Sequence, residues 1–202
     1  MTSPSEPLRV AGIVLAAGSS TRFAGDRPKQ LLELKGEPFV RRVAQAALAA
    51  DLHPVIVVLG HAAEDVSTTL HGLDVRQVVN PDYTQGQSTS VRAGLTQVTD
   101  GSHAAIFLPA DQPLLSSTLI GRLVATYRRT GAPIVVPTHG SRRGAPVLFD
   151  HALFGELEQL KGDTGGRAVL PRYASELVEV EVDDPRELAD VDNESDLQRL
   201  RR

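Results

Sequence analysis

The chain contains no cysteine, which excludes disulfides, thiolate metal sites and cysteine nucleophiles together. Nor does it have an excess of basic residues: 21 Lys and Arg stand against 25 Asp and Glu, for a formal net charge of −4. Neither nucleic acid nor an anionic membrane surface is therefore an expected partner. No apolar run approaches the roughly 18 residues of a membrane span, and the opening M-T-S-P-S-E-P-L-R lacks the basic and apolar segments of a signal peptide. A cytoplasmic protein is expected. The six histidines show no HExxH or other ligand spacing, and no G-x-S-x-G elbow occurs, so zinc chemistry and serine hydrolysis find no support.

What is present suits a folded α/β domain: 202 residues, 41% of them hydrophobic, enough to bury a core in one domain. Residues 1–8, with two prolines, read as a flexible tail. Strands are predicted at Val10–Leu15, Val55–Leu59, Val75–Val79, His103–Leu108, Pro133–Pro137 and Leu177–Val182. Helices are predicted at Phe39–Ala50, Ala63–Leu70, Ser88–Gln97, Leu119–Thr130 and Phe154–Leu160, with a short one through Leu200. The run Val55 to Leu59 is apolar throughout, as in a strand covered on both faces. This alternation predicts a doubly wound, mostly parallel sheet whose ligand crevice lies at the carboxyl ends of its strands. Between Pro137 and Leu177 the pattern loosens into glycine-rich turns and a helix.

The stretch Val14–Lys29 is the chemical focus. An apolar strand ends abruptly in Gly18-Ser19-Ser20-Thr21, followed by Arg22 and, seven positions on, Lys29. A small-residue loop lets backbone N–H groups approach phosphate oxygens while two cations neutralise charge. It is neither a P-loop nor the dinucleotide GxGxxG, since Ser20 stands where the second glycine belongs. An ordinary strand-to-helix turn with solvated charges is the alternative. Asp111, in Pro109-Ala110-Asp111-Gln112-Pro113, could hold a divalent cation beside those phosphates or cap the following helix. Asp190 and Asp192 are spaced to point the same way on an extended segment, while Glu194 and Asp196 open a helix. The segment Asn80–Ser88 and the hydroxyls after Gly86 could read a base or a phosphate, or form a plain loop with a serine cap.

Together these segments resemble the molybdenum cofactor cytidylyltransferase group of the GT-A-type nucleotidyltransferases. L-A-A-G-S-S-T-R-F-A-G resembles the signature L-A-A-G-x-S-x-R-x-G, with Ala24 at its last position and the glycine one residue later. Pro109–Pro113 is similar to the G-D-Q-P metal loop, with Ala110 in place of glycine. Gly144–Phe149 is similar to G-x-P-x-x-F, Gly162–Arg167 to G-D-x-G-x-R, and Asp190–Leu197 to D-I-D-T-P-E-D-L, with Asn193-Glu194 in place of threonine-proline. The resemblance implies a three-layer Rossmann-like fold spanning residues 1–202 as one domain, with residues 9–137 binding nucleotide and 138–202 the acceptor.

It further implies Mg²⁺-dependent transfer of CMP from CTP to the phosphate of a molybdopterin-type acceptor, releasing pyrophosphate. Arg22, Lys29 and Asp111 take the catalytic roles, and Asp111 with Asp192 the metal. Leu15, Ala16, Ala17, Gly18, Ser19, Ser20, Arg22, Lys29, Asn80, Gly86, Ser88 and Ser90 contact the nucleotide, and Gly144, Pro146, Gly165 and Arg167 the acceptor. Guanylyl relatives carry a second glycine where Ala17 stands, which favours CTP over GTP. Guanylyl transfer, another phosphorylated acceptor, a nucleotide- or pterin-binding chaperone serving a molybdoenzyme partner, and an oxidoreductase on this fold are the alternatives. The oxidoreductase lacks its GxGxxG loop here.

Overall fold

A computed structural model describes residues 8–19, 28–99 and 101–200. In chain order its elements are strand β1 (Val10–Ala16), the short pair β2 (Glu33–Leu34) and β3 (Glu37–Pro38), helix α1 (Phe39–Ala49), β4 (Val55–Leu59), α2 (Ala63–Thr69), β5 (Arg76–Val79), α3 (Gln87–Leu95), β6 (Ala104–Pro109), α4 (Ser117–Thr130), β7 (Ile134–His139), β8 (Arg142–Arg143), β9 (Val147–Asp150), α5 (Phe154–Glu158), β10 (Val178–Glu181) and α6 (Glu194–Leu200). The main sheet runs in the order β10-β7-β9-β6-β1-β4-β5, with β8 appended to β7. Its β6-β1-β4-β5 portion is parallel.

Every residue of β4 is buried, because helices cover both faces of the sheet. Along each strand successive side chains enter opposite layers. Val14, Val57 and Ile106 join α1, α2 and α4 in one core, whereas Ile13, Ile56 and Phe107 join α3 and α5 in the other. Helix α1 presents Phe39, Val40, Val43, Ala44 and Ala47 inward at helical spacing. Helix α4 begins at Ser116, whose hydroxyl accepts from the Leu119 amide at 3.0 Å, and stops at Gly131 in the left-handed region. A third, smaller core of Leu34, Phe39, Val191 and Leu197 fastens the C-terminal segment beneath the β2–β3 pair.

Two expectations are corrected. Strand β9, absent from the sequence reading, lies in the middle of the sheet, antiparallel to both β6 and β7. Only Val147, Leu148 and Phe149 are fully buried in it, a run too short to stand out from the glycine-rich turns around it. Leu8, assigned to the tail, packs against the first core, and its carbonyl accepts from Arg128 Nε at 3.0 Å. Residues 1–7 lie outside the described part. Among the described residues, no helix is long and apolar enough to cross a membrane.

Candidate active site

Strands β1 and β6 pair in parallel from Val10 opposite Ala104 to Leu15 opposite Pro109, so the loops after them leave the same edge of the sheet. Between these loops opens a cavity of about 810 Å³, within the range of small-molecule sites. Leu15, Ala16, Ala17, Gly18 and Ser19 form one wall, Pro109, Ala110 and Asp111 another, and Tyr83 to Gln87 with Ser90 a third. The walls are held by the backbone: Ala110 N donates to Leu15 O at 3.2 Å, and His61 N to Ala17 O at 3.1 Å. Gln30, 5% exposed, ties the first loop to the end of β4 by donating from Nε2 to Gly18 O (3.4 Å) and His61 O (3.2 Å). Gly60 admits no side chain there, since a methyl on it would lie 2.7 Å from Ala17 and 2.9 Å from Tyr83.

Lys29 stands where the walls converge. Its Nζ donates to Asp111 Oδ2 at 2.6 Å and to Asp192 Oδ1 at 2.7 Å. The lysine side chain is 13% exposed, the two carboxylates 30% and 54%. Burial alone disfavours the ammonium charge, but Asp111 first and Asp192 second offset it, and the pKa of Lys29 is raised above its ordinary value. Asp111 does not cap α4, a task Ser116 performs.

Three hydrogen bonds carry Asp192 to this point. Val191 N donates to Asp111 O at 3.0 Å, and Gln112 Nε2 donates to Leu188 O (3.2 Å) and Asp190 Oδ1 (3.0 Å). Desolvation first, then the charge of Asp111, pushes the Asp190 carboxyl upward. Asn193 Oδ1 accepts from Asp196 N while Asp196 Oδ2 accepts from Asn193 N, each at 3.1 Å. This reciprocal cap suits the asparagine that replaces threonine in the motif. Two hard oxygen donors already gathered round one positive charge form a donor set that fits a small divalent cation sharing the site with phosphate oxygens. Among the described residues no group of three or more acidic, histidine or cysteine side chains converges.

A second cavity of about 290 Å³ adjoins the first, sharing Leu15, Gln87, Pro109 and Asp163 with it. Strand β9 supplies its apolar floor. Val147 and Phe149 project into the same layer as Phe107 of β6, and the two phenyl rings meet edge to face at 5.9 Å. Gly165 and Arg167 lie on its rim, and Arg167 donates to Arg143 O at 2.8 Å.

The expected residues divide accordingly. Leu15 to Ser19, Lys29, Gly86, Ser90, Asp111 and Asp192 line the first cavity, and Gly165 and Arg167 the second. Asn80 and Ser88 are buried behind the wall instead. Asn80 Nδ2 donates to Thr89 Oγ1 (2.8 Å) and Ser90 Oγ (3.0 Å), so it shapes the loop rather than facing a ligand. Gly144 packs against Leu188, and Pro146 is buried beside the second cavity while its neighbour Ala145 lines it. Ser20 and Arg22 lie outside the described residues. Sequence reasoning did not single out Gln30, nor, within the segments it put forward, Tyr83 and Asp163. For Gln30 a signal existed: a polar residue set between Lys29 and a leucine pair that must be buried.

The sequence profile described as a MobA-like NTP transferase domain matches residues 12–177. The chain is 33% identical to nicotine blue oxidoreductase of Paenarthrobacter nicotinovorans, over 95% of this chain and 96% of that protein. It is 36% identical to the bifunctional protein GlmU of Sorangium cellulosum over 66% of this chain, and spans 30% of that protein's length. Among solved structures, Rv0371c of Mycobacterium tuberculosis H37Rv superposes with a TM-score of 0.82 at 27% identity, covering 97% of this chain and 99% of that one. A manganese complex of Rv0371c superposes at 0.74 with 28% identity, covering 95% and 97%.

Proposed function

This chain belongs to the MobA-like NTP transferase family, and from that premise we propose that it transfers a nucleotidyl group from a nucleoside triphosphate, CTP in preference, to the phosphate of a molybdopterin-type acceptor with release of pyrophosphate. The observation that carries the reading is Lys29 held by Asp111 and Asp192 at the convergence of the cavity walls. The larger cavity accepts the nucleoside triphosphate, with the loop after β1 and the α3 side forming its walls. The smaller takes the acceptor's body over an apolar floor formed by Val147 and Phe107, a surface suited to a flat heterocycle. Ala17, where guanylyl relatives carry glycine, supports CTP.

An ionised acceptor phosphate is already a nucleophile, so the chain need only orient it in line with the α-phosphorus and stabilise charge, with no covalent enzyme intermediate. Lys29, its charge secured by its surroundings, presents a fixed cation to the triphosphate, and Arg22 adds a second. Asp111 and Asp192 are the residues that would hold Mg²⁺ or Mn²⁺. When bound, such an ion neutralises charge developing on the phosphate oxygens.

Pyrophosphate release measured with CTP, GTP, ATP and UTP, with and without molybdopterin, in Mg²⁺ and in Mn²⁺, tests the reading on wild type and Asp111→Ala. Release requiring CTP, the pterin and Asp111 is expected. Binding of CTP without release under any pairing would overturn the transferase in favour of a nucleotide-binding role. The name of the Paenarthrobacter relative favours a second reading, reduction of a small heteroaromatic substrate. Consumption of NADPH or NADH with such a substrate, and no pyrophosphate, is the outcome that would select it.

A further inference from the structure

The start of α3 has the form of a ligand site, but its first free donors are already taken. Gln87 N donates to Asp163 Oδ1 at 3.3 Å and Ser88 N to Gly162 O at 3.1 Å. Gly86, the residue before the helix, has φ +110°, and a methyl on it would lie 2.2 Å from the Gly162 carbonyl carbon and 2.4 Å from Asp163 N. Gly165 sits as tightly on the Gln87 side chain, which a methyl would meet at 2.2 Å. A turn later, Arg92 donates to Leu160 O at 2.7 Å. The loop 162–165 is therefore laid directly on the helix start, and Gly86 at the N-cap position makes no side-chain cap. Gln87 and Asp163 both face both cavities.

We propose that Asp163 is a positioning residue that caps α3 from a distant part of the chain and so holds the nucleotide cavity and the acceptor cavity in register as one unit. A carboxylate suits this place because the helix N-terminus carries orphan N–H groups and partial positive charge. The consequence for binding rests on the proposed function: because Gly86 and Gln87 wall the nucleotide cavity and the loop laid on them carries Gly165 and Arg167, loss of the cap loosens both walls together.

Amide hydrogen exchange at single-residue resolution, read by NMR on the full chain without nucleotide, tests the cap independently of any activity. In Asp163→Ala the Gln87 amide, the one whose acceptor is removed, should exchange about fivefold faster, as loss of a helix cap implies. In Asp163→Asn, which retains an accepting oxygen, it should stay near the wild-type rate. A Gln87 amide as slow in Asp163→Ala as in wild type would overturn the cap. Titration with CTP and Mg²⁺ then tests the coupling. Slower exchange across residues 162–165 on binding, together with about fivefold weaker binding to Asp163→Ala than to Asp163→Asn, is expected. Binding that leaves these amides unchanged in wild type would overturn the coupling. Failure of every nucleoside triphosphate to bind would overturn the proposed function instead, while the exchange rates in the free protein still decide the cap.

Discussion

Lys29 concentrates the electrostatics of the site in one ammonium group. Because burial opposes its charge, it depends on Asp111 and Asp192, and their attraction prevails. Its folded pKa lies above the ordinary value of 10.5, so the stabilisation is fully present below that pH and is lost as pH rises through the folded value. Urea titrations across the alkaline range should show this loss, and Lys29→Met should flatten the part of the profile that Lys29 contributes. The same variant should lower pyrophosphate release by about 10²–10³-fold, the usual cost of removing one fixed charge-stabilising group. Tyr127, at the opposite end of β6, titrates in the same sense. Desolvation and the hydrogen bond it donates to Asp150 at 2.7 Å hold its pKa well above the usual range. Tyr127→Phe should cost about 1 kcal/mol at neutral pH, measured by urea unfolding.

Strand β9 is the element on which the second cavity depends. Phe149 is wholly buried, lies opposite Ala105 and Ile134 in the two neighbouring strands, and meets the Phe107 ring. Truncation to alanine removes that ring from the middle of the sheet and should destabilise the protein by about 3–5 kcal/mol in urea unfolding. The segment before α6 behaves differently, because its anchor is the small satellite core rather than the sheet. Leu197, 2% exposed there, holds the docked segment from which Asp192 reaches Lys29. Leu197→Ala should therefore leave the main unfolding midpoint almost unchanged, since local opening of a terminal element need not propagate. It should raise the Mg²⁺ concentration needed for half-maximal pyrophosphate release several-fold. Loss of global stability with an unaltered Mg²⁺ requirement would contradict this division.

At the scale of the molecule, two cavities share one wall at the carboxyl edge of a mostly parallel sheet, and antiparallel β9 separates the parallel β6-β1-β4-β5 portion from β7 and β10. Most of the parallel half was legible beforehand. Runs such as Val55 to Leu59 are apolar because both faces are covered, and α1 shows helical spacing because only one of its faces is; composition and period carry that information directly. The loops after β1 and β6 were legible for the same reason, since each is a sharp chemical change at the end of a buried run. By itself the sequence thus determined the layer architecture and the residue types gathered at the strand ends. Only the tertiary structure decided the rest. It brought Lys29, Asp111 and Asp192 to one point, turned Asn80 and Ser88 inward, inserted β9, and placed Asp163 on the start of α3. These depend on contacts between segments distant in sequence, whose geometry is fixed by packing and hydrogen bonding across the fold and leaves no periodic trace in the chain.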